Sequence, residues 1–128
     1  MCEQVTPTQR ELEILKILWD RDAATVRQVY EIMRQRSPIV QNTVQAFLRT
    51  MEEKGLVTHE LRGRAFVYRP MLQQKQTARQ LVGRLLDRVY DGAMDQLVDG
   101  LLSIRRPTEE ELQRLEMLIN QAKNKPDP

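Results

Sequence analysis

Cysteine and histidine each occur once in these 128 residues, and glycine only five times. A lone Cys2 cannot close an intramolecular disulfide, which fits a reducing compartment. One histidine, His59, and no paired Cys/His spacing leave a zinc site without ligands. The glycines are scattered, so there is no phosphate-cradling loop and no nucleophile elbow. No apolar run approaches the roughly 20 residues that cross a bilayer. The opening "MCEQVTPTQRE" has neither a basic start nor an apolar stretch, so no secretory signal is expected. These absences point to a cytoplasmic protein that does not bind the membrane directly. They also point away from an enzyme and from a metal or other cofactor.

What is present is a soluble composition, 41% apolar and 30% charged, with an uneven distribution of charge. From Ala23 to Pro70 there are eight basic residues (Arg27, Arg34, Arg36, Arg49, Lys54, Arg62, Arg64 and Arg69) against four acidic ones (Glu31, Glu52, Glu53 and Glu60). From Met71 onward nine basic and nine acidic residues cancel. A polyanion is the natural partner of the first region.

The first region reads as helix, helix, helix, hairpin. Thr8 with Glu11 is a capping box ahead of Leu12, Leu15 and Trp19, and predicts a helix over about 8–20. Thr25 with Gln28 starts a second helix, which Pro38 terminates. "QNTVQAFLRTMEEKGLV" (41–57) is a third, with Val44, Phe47, Leu48 and Met51 on its buried stripe and Gly55 as its cap. "LVTHEL" and "AFVYR" are β-prone segments joined by "RGR", with Gly63 at the turn. His59 falls on the first of them, as an ordinary surface or cross-strand residue.

After Pro70 the pattern is helical throughout. Leu81, Val82, Leu85, Leu86, Val89, Tyr90, Met94, Leu97, Val98, Leu101 and Leu102 predict one helix over about 74–102. Thr108 and Glu111 form another capping box before Leu112, Leu115, Leu118 and Ile119 on a last amphipathic helix. That last helix is too short to cover the long stripe, so pairing with a second copy is expected.

A helix-turn-helix followed by a basic hairpin is a winged helix, whose third helix enters the major groove while the wing follows the phosphates. The outer face of helix 3 carries Gln41, Asn42, Thr43, Gln45, Ala46 and Arg49, residue types that read base edges or allow close approach. Lys54, Arg62 and Arg64 would neutralise phosphates. The fold expected is therefore mainly α: a winged helix-turn-helix (three helices plus a β-hairpin wing) over 1–70, with an appended helical dimerisation domain over 71–128. Two other uses of this fold remain open. One is a regulator holding a small ligand in an apolar pocket, and the other a protein-interaction module that never touches DNA.

"ELEILKILW", "NTVQAFLRTMEEKGLV" and "GRAFVYRP", in that order, together with "LLDRVYDGAMDQLV", resemble the BlaI/MecI penicillinase-repressor family of bacteria. The resemblance implies a homodimeric transcriptional repressor that occupies a palindromic double-stranded operator. It places recognition residues on Gln41, Asn42, Thr43, Gln45, Ala46 and Arg49. It also implies release by a signal acting on the C-terminal domain, typically proteolysis triggered through a membrane sensor metalloprotease or its signalling pathway. Well-known members carry an Asn–Phe bond at the cleavage point; here the aligned pair is Gly100–Leu101. The copper-responsive branch carries paired Cys-x-Cys motifs, and this chain has none.

Overall fold

The structure, a computed structural model, describes residues 6–126; Cys2 lies outside them. It divides into two compact units, one running through Gly83 and the other beginning at Arg84. The first is a winged helix-turn-helix. Its elements are α1 (Gln9–Arg21), β1 (Ala24–Thr25), α2 (Val26–Met33), α3 (Gln41–Glu53), β2 (Val57–Arg62) and β3 (Ala65–Pro70), followed by α4 (Gln74–Arg88), which runs on past Gly83.

Both predicted N-terminal caps form. The Thr8 hydroxyl accepts from the Glu11 N–H at 3.3 Å while the Glu11 carboxylate accepts from the Thr8 N–H at 3.0 Å. Thr25 and Gln28 do the same for α2, at 3.1 and 2.9 Å. Capped and amphipathic, these helices pack their apolar faces into one core. Ile14, Leu15, Leu18, Val29, Val44, Leu48 and Met51 are fully shielded there, with Leu56, Val57 and Tyr68 closing the sheet side.

The sheet holds one strand more than the hairpin. β1, two residues long, pairs antiparallel with β3 through Ala24–Tyr68 and Thr25–Val67, giving the order β1-β3-β2. The hairpin pairs Val57 with Pro70 at its base and Arg62 with Ala65 at its tip, leaving Gly63 and Arg64 as a two-residue loop. Gly63 takes φ 65° at the first loop position, where a side chain would be strained. Beyond β3, the Trp19 indole donates to the Leu72 carbonyl at 2.7 Å, and Thr77 is buried. These contacts carry the first unit past Pro70.

The single helix expected over about 74–102 is two helices. α4 ends at Arg88 and α5 (Met94–Ile104) starts six residues later. Between them Asp91 and Gly92 adopt φ 51° and 83°, left-handed values that stop a right-handed helix. The Gly92 N–H reaches back to the Leu86 carbonyl at 2.9 Å. The apolar periodicity continues through this break, while Asp-Gly, a turn dipeptide, supplies the conformational freedom that periodicity ignores. α6 (Glu109–Asn124) then begins at the expected Thr108–Glu111 box.

One ion pair ties α1 to the end of α3. Glu11 is 2% exposed, and the Lys54 ammonium donates to its carboxylate at 2.8 Å. Burial pushes the Glu11 carboxyl up. Lys54 and the hydrogen bonds from Thr8 outweigh that, and the net position is below the usual carboxylate range. With the folded value depressed, ionised Glu11 contributes stability that is present above the unfolded pKa. It is lost as pH falls through the folded one. Lys54→Met should therefore cost about 1–3 kcal/mol at pH 7. The cost should shrink on acidification, because a protonated Glu11 no longer needs the cation. Urea unfolding at neutral and acidic pH checks this; an equal loss at both contradicts it.

Candidate nucleic-acid interface

α3 is held by its inner stripe. Val44, Leu48 and Met51 are fully buried and Phe47 is half-buried, so the rotation of the helix is set. The same rotation puts Gln41, Asn42, Thr43, Gln45, Ala46 and Arg49 on the exposed side. All six predicted reading residues thus share one solvent-facing surface. The first turn of α3 carries no acidic side chain, and its N-cap residue Val40 makes no side-chain cap. No carboxylate in that turn therefore repels a phosphate, while the Thr43 N–H reaches back to the Val40 carbonyl at 3.1 Å.

The wing is anchored to the end of the same helix. His59 on β2 lies opposite Tyr68, and its Nδ1 is 2.7 Å from the Glu52 carboxylate on α3. The imidazole also packs on the rings of Phe66 and Tyr68, at 4.4 and 5.5 Å between centroids. Burial pushes the Tyr68 hydroxyl up, the Glu52 charge adds to that, and Arg49 opposes it. Arg49 and Glu52 are thus both close enough to be felt at the wing.

The predicted cations differ in what else they touch. Lys54 is engaged by Glu11, with part of its side chain exposed. Arg62 shares the Glu60 carboxylate with Arg69, at 3.2 and 3.0 Å, and the Arg69 hydrogen bond is the main reason the Glu60 carboxyl lies low. Arg49 and Arg64 have no carboxylate partner among the described residues. The ties Glu11–Lys54 and Glu52–His59 were invisible in the sequence, because the first pair is separated by 43 positions and the second joins a helix to a strand. Among the described residues, no group of three His, Cys, Asp or Glu is placed to hold a metal.

The helices beyond Pro70 have a different character. Of the residues expected at a subunit contact, Leu97 is buried, and Leu81, Leu86 and Tyr90 are half-buried. Val82, Leu85, Val89, Met94, Val98, Leu101, Leu102, Leu115, Leu118 and Ile119 are exposed. Leu112, on the predicted stripe of the last helix, is exposed as well, and so are Ile104 and Met117, which lie off the predicted stripes. Val98, Leu101, Leu102, Leu115 and Leu118 line an open groove of about 500 Å³ between α5 and α6. Arg105 and Glu111 line it too, and the guanidinium donates to the carboxylate through two nitrogens at 2.9 and 2.7 Å. Arg105 and the Thr108 N–H together hold the Glu111 carboxyl down at about 2. Gly100 lies inside α5 under Tyr90, whose hydroxyl would stand 2.5 Å from a β-carbon placed there.

The sequence profile of the penicillinase repressor family matches residues 7–121. The penicillinase repressor of Bacillus licheniformis is 26% identical over 115 residues, covering 90% of both chains. The methicillin resistance regulatory protein MecI of Staphylococcus aureus is 17% identical over 110 residues, 86% of this chain and 89% of its own. The solution structure of the DNA-binding domain of the repressor BlaI superposes with a TM-score of 0.51 at 27% identity, over 58% of this chain and 90% of that one. A structure of monomeric Bacillus licheniformis BlaI in complex with the blaP half-operator gives the same TM-score and identity, over 59% and 92%. A winged helix whose α3 exposes a polar face and a profile match across 7–121 lead to one conclusion: the chain belongs to the penicillinase repressor family.

Proposed function

We propose that this DNA-binding transcriptional repressor works in the cytoplasm as a homodimer on a palindromic operator. In this reading the domain through Pro70 contacts DNA and the chain beyond it holds the dimer together. The observation that carries the dimer is α6, a 16-residue amphipathic helix with no buried residue. Large apolar side chains left uncovered along α5 and α6 make an exposed patch that soluble monomers rarely keep. A second copy would bury it, at about 1.5–3 kcal/mol for each large side chain fully covered. Two-fold symmetry then presents two identical α3 helices to two half-sites, about one helical turn or a small multiple apart.

Gln41, Asn42, Thr43, Gln45, Ala46 and Arg49 are the proposed base readers. Arg62 and Arg64 are the proposed phosphate contacts. Lys54 joins them through the N–H donors it does not give to Glu11. The half-operator complex of Bacillus licheniformis BlaI, a family member, supports DNA as the partner.

Release is proposed to act on the second unit, by proteolysis near Gly100–Leu101 downstream of a membrane sensor metalloprotease, or by another signal there. The bond lies inside α5, so a protease needs that turn unwound first. A glycine in mid-helix lowers the cost by roughly 0.5–1 kcal/mol relative to alanine. A small apolar effector seated in the α5–α6 groove is the second reading, favoured by the volume and apolar lining of that groove. It would act by competing with the partner subunit.

Arg49→Ala should lose about 1–3 kcal/mol on the operator and less on random DNA. Arg64→Ala should weaken both alike and lower the salt slope by roughly one phosphate contact. Titration of each variant on both duplexes over a salt series checks the division; equal losses on the two DNAs for Arg49→Ala contradict it.

A chain ending at Gly83 should remain folded but sediment as a monomer. It should also bind operator roughly 10²–10⁴-fold more weakly, because the two half-site contacts are no longer linked. A dimeric truncated chain, or undiminished affinity, contradicts the assignment of dimerisation to the C-terminal helices.

A further inference from the structure

The wing carries an apolar pair that the core does not use. Along β2, Val57, His59 and Leu61 point to one side of the hairpin, with Pro70, Tyr68 and Phe66 as their cross-strand partners. Val57 and Tyr68 are buried, and His59 is half-covered against Glu52 of α3. The last pair of the row, Leu61 and Phe66, emerges from that cover 63% and 42% exposed. The opposite face pairs Thr58 with Arg69 and Arg62 with Ala65, so the tip has a polar side and an apolar side. The apolar side is the one that faces α3.

We propose that Leu61 and Phe66 form a sugar-contacting surface that packs against the deoxyribose walls of the DNA minor groove beside the site read by α3. This rests on the DNA-binding reading of the wing and α3. Two observations select duplex DNA as the occupant. Arg64 sits in the two-residue loop beside the pair with no carboxylate partner among the described residues, so whatever covers the apolar side chains also brings negative charge to its guanidinium group. The row also continues an exposed surface that already includes Arg49, whose charge reaches Tyr68 at the next pair inward. A second copy of this chain on the same surface would instead bring Arg49 and Arg64 against their own counterparts. The minor groove offers apolar sugar edges between two rows of phosphates, and it is a place where Leu and Phe side chains are known to enter. A cross-strand Leu–Phe contact also steadies the hairpin itself, so the test must separate the two effects.

The test uses full-length protein and a duplex of random sequence, because sugar contacts carry no base information. Wild type, Leu61→Ser, Phe66→Ser, Phe66→Leu and Arg64→Ala are titrated across a salt series, with urea unfolding and sedimentation of each. Leu61→Ser and Phe66→Ser should bind about 5–20-fold more weakly, from lost apolar burial. Their salt slope should match wild type, because no phosphate contact is removed. Phe66→Leu should retain most of the affinity, and the sedimentation of all variants should be unchanged. Leu61 is 63% exposed, so its variant should stay folded with only a small shift in its urea midpoint, and its loss of affinity then reports the DNA contact.

Affinity within about two-fold of wild type for both serine variants overturns the proposal, since the apolar term is then absent. Loss of affinity with a salt slope flattened as in Arg64→Ala overturns it too, because the effect then runs through the phosphate contacts. A changed sedimentation coefficient assigns the pair to a subunit contact instead. Failure of wild type to bind the duplex overturns the DNA reading itself, and Arg64→Ala reports on that reading separately from the serine variants.

Discussion

The burial of Val44, Leu48 and Met51 beneath α3 is the constraint on which the proposed DNA-facing surface depends. With these three side chains fully shielded against the core, the helix cannot roll, and every other position on it has a fixed direction. Six side chains suited to reading bases are therefore displayed by the packing of three that are not. The Glu11–Lys54 pair holds the far end of the same helix to α1, and Glu52–His59 holds the wing to it. Recognition helix and wing thus form one surface whose geometry is set before any DNA arrives. That spares the complex part of the ordering cost that flexible binders bear on association.

The helices beyond Pro70 show the opposite economy. α4, α5 and α6 carry apolar stripes, and α6 starts at a full capping box, yet among their described residues only Thr77 and Leu97 are buried. Local chemistry shapes these helices, while most of their apolar surface stays uncovered within a single chain. A fold that stable locally and that incomplete globally can be switched at its missing contact. In the proposed dimer, removing the partner by cutting α5 or by filling the α5–α6 groove would act on affinity for DNA without touching α3.

Much of this architecture was legible because its signals are local. Thr8–Glu11, Thr25–Gln28 and Thr108–Glu111 announce helix starts within four residues, and Gly63 announces the wing turn. The polar outer face of α3 followed from the spacing of its apolar residues alone. The winged-helix fold and the resemblance to the penicillinase repressors hold, and membership of that family sets aside a protein-interaction module that never meets DNA. What the sequence concealed is either too short or too long in range. β1 has two residues, fewer than any periodicity can mark, and the contacts of Glu11 with Lys54 and of Glu52 with His59 are made by the folded core. The break at Asp91–Gly92 lay hidden because an apolar stripe can continue in register across a turn. The dipeptide itself was the signal to follow.

The account rests most heavily on two copies acting together on one stretch of DNA. The direct measurement is the mass of the complex formed by full-length protein on the promoter segment it protects, together with the symmetry of that protection. Two chains per duplex, with protected half-sites related by a dyad, is the result this account predicts. One chain on a single asymmetric stretch would contradict it.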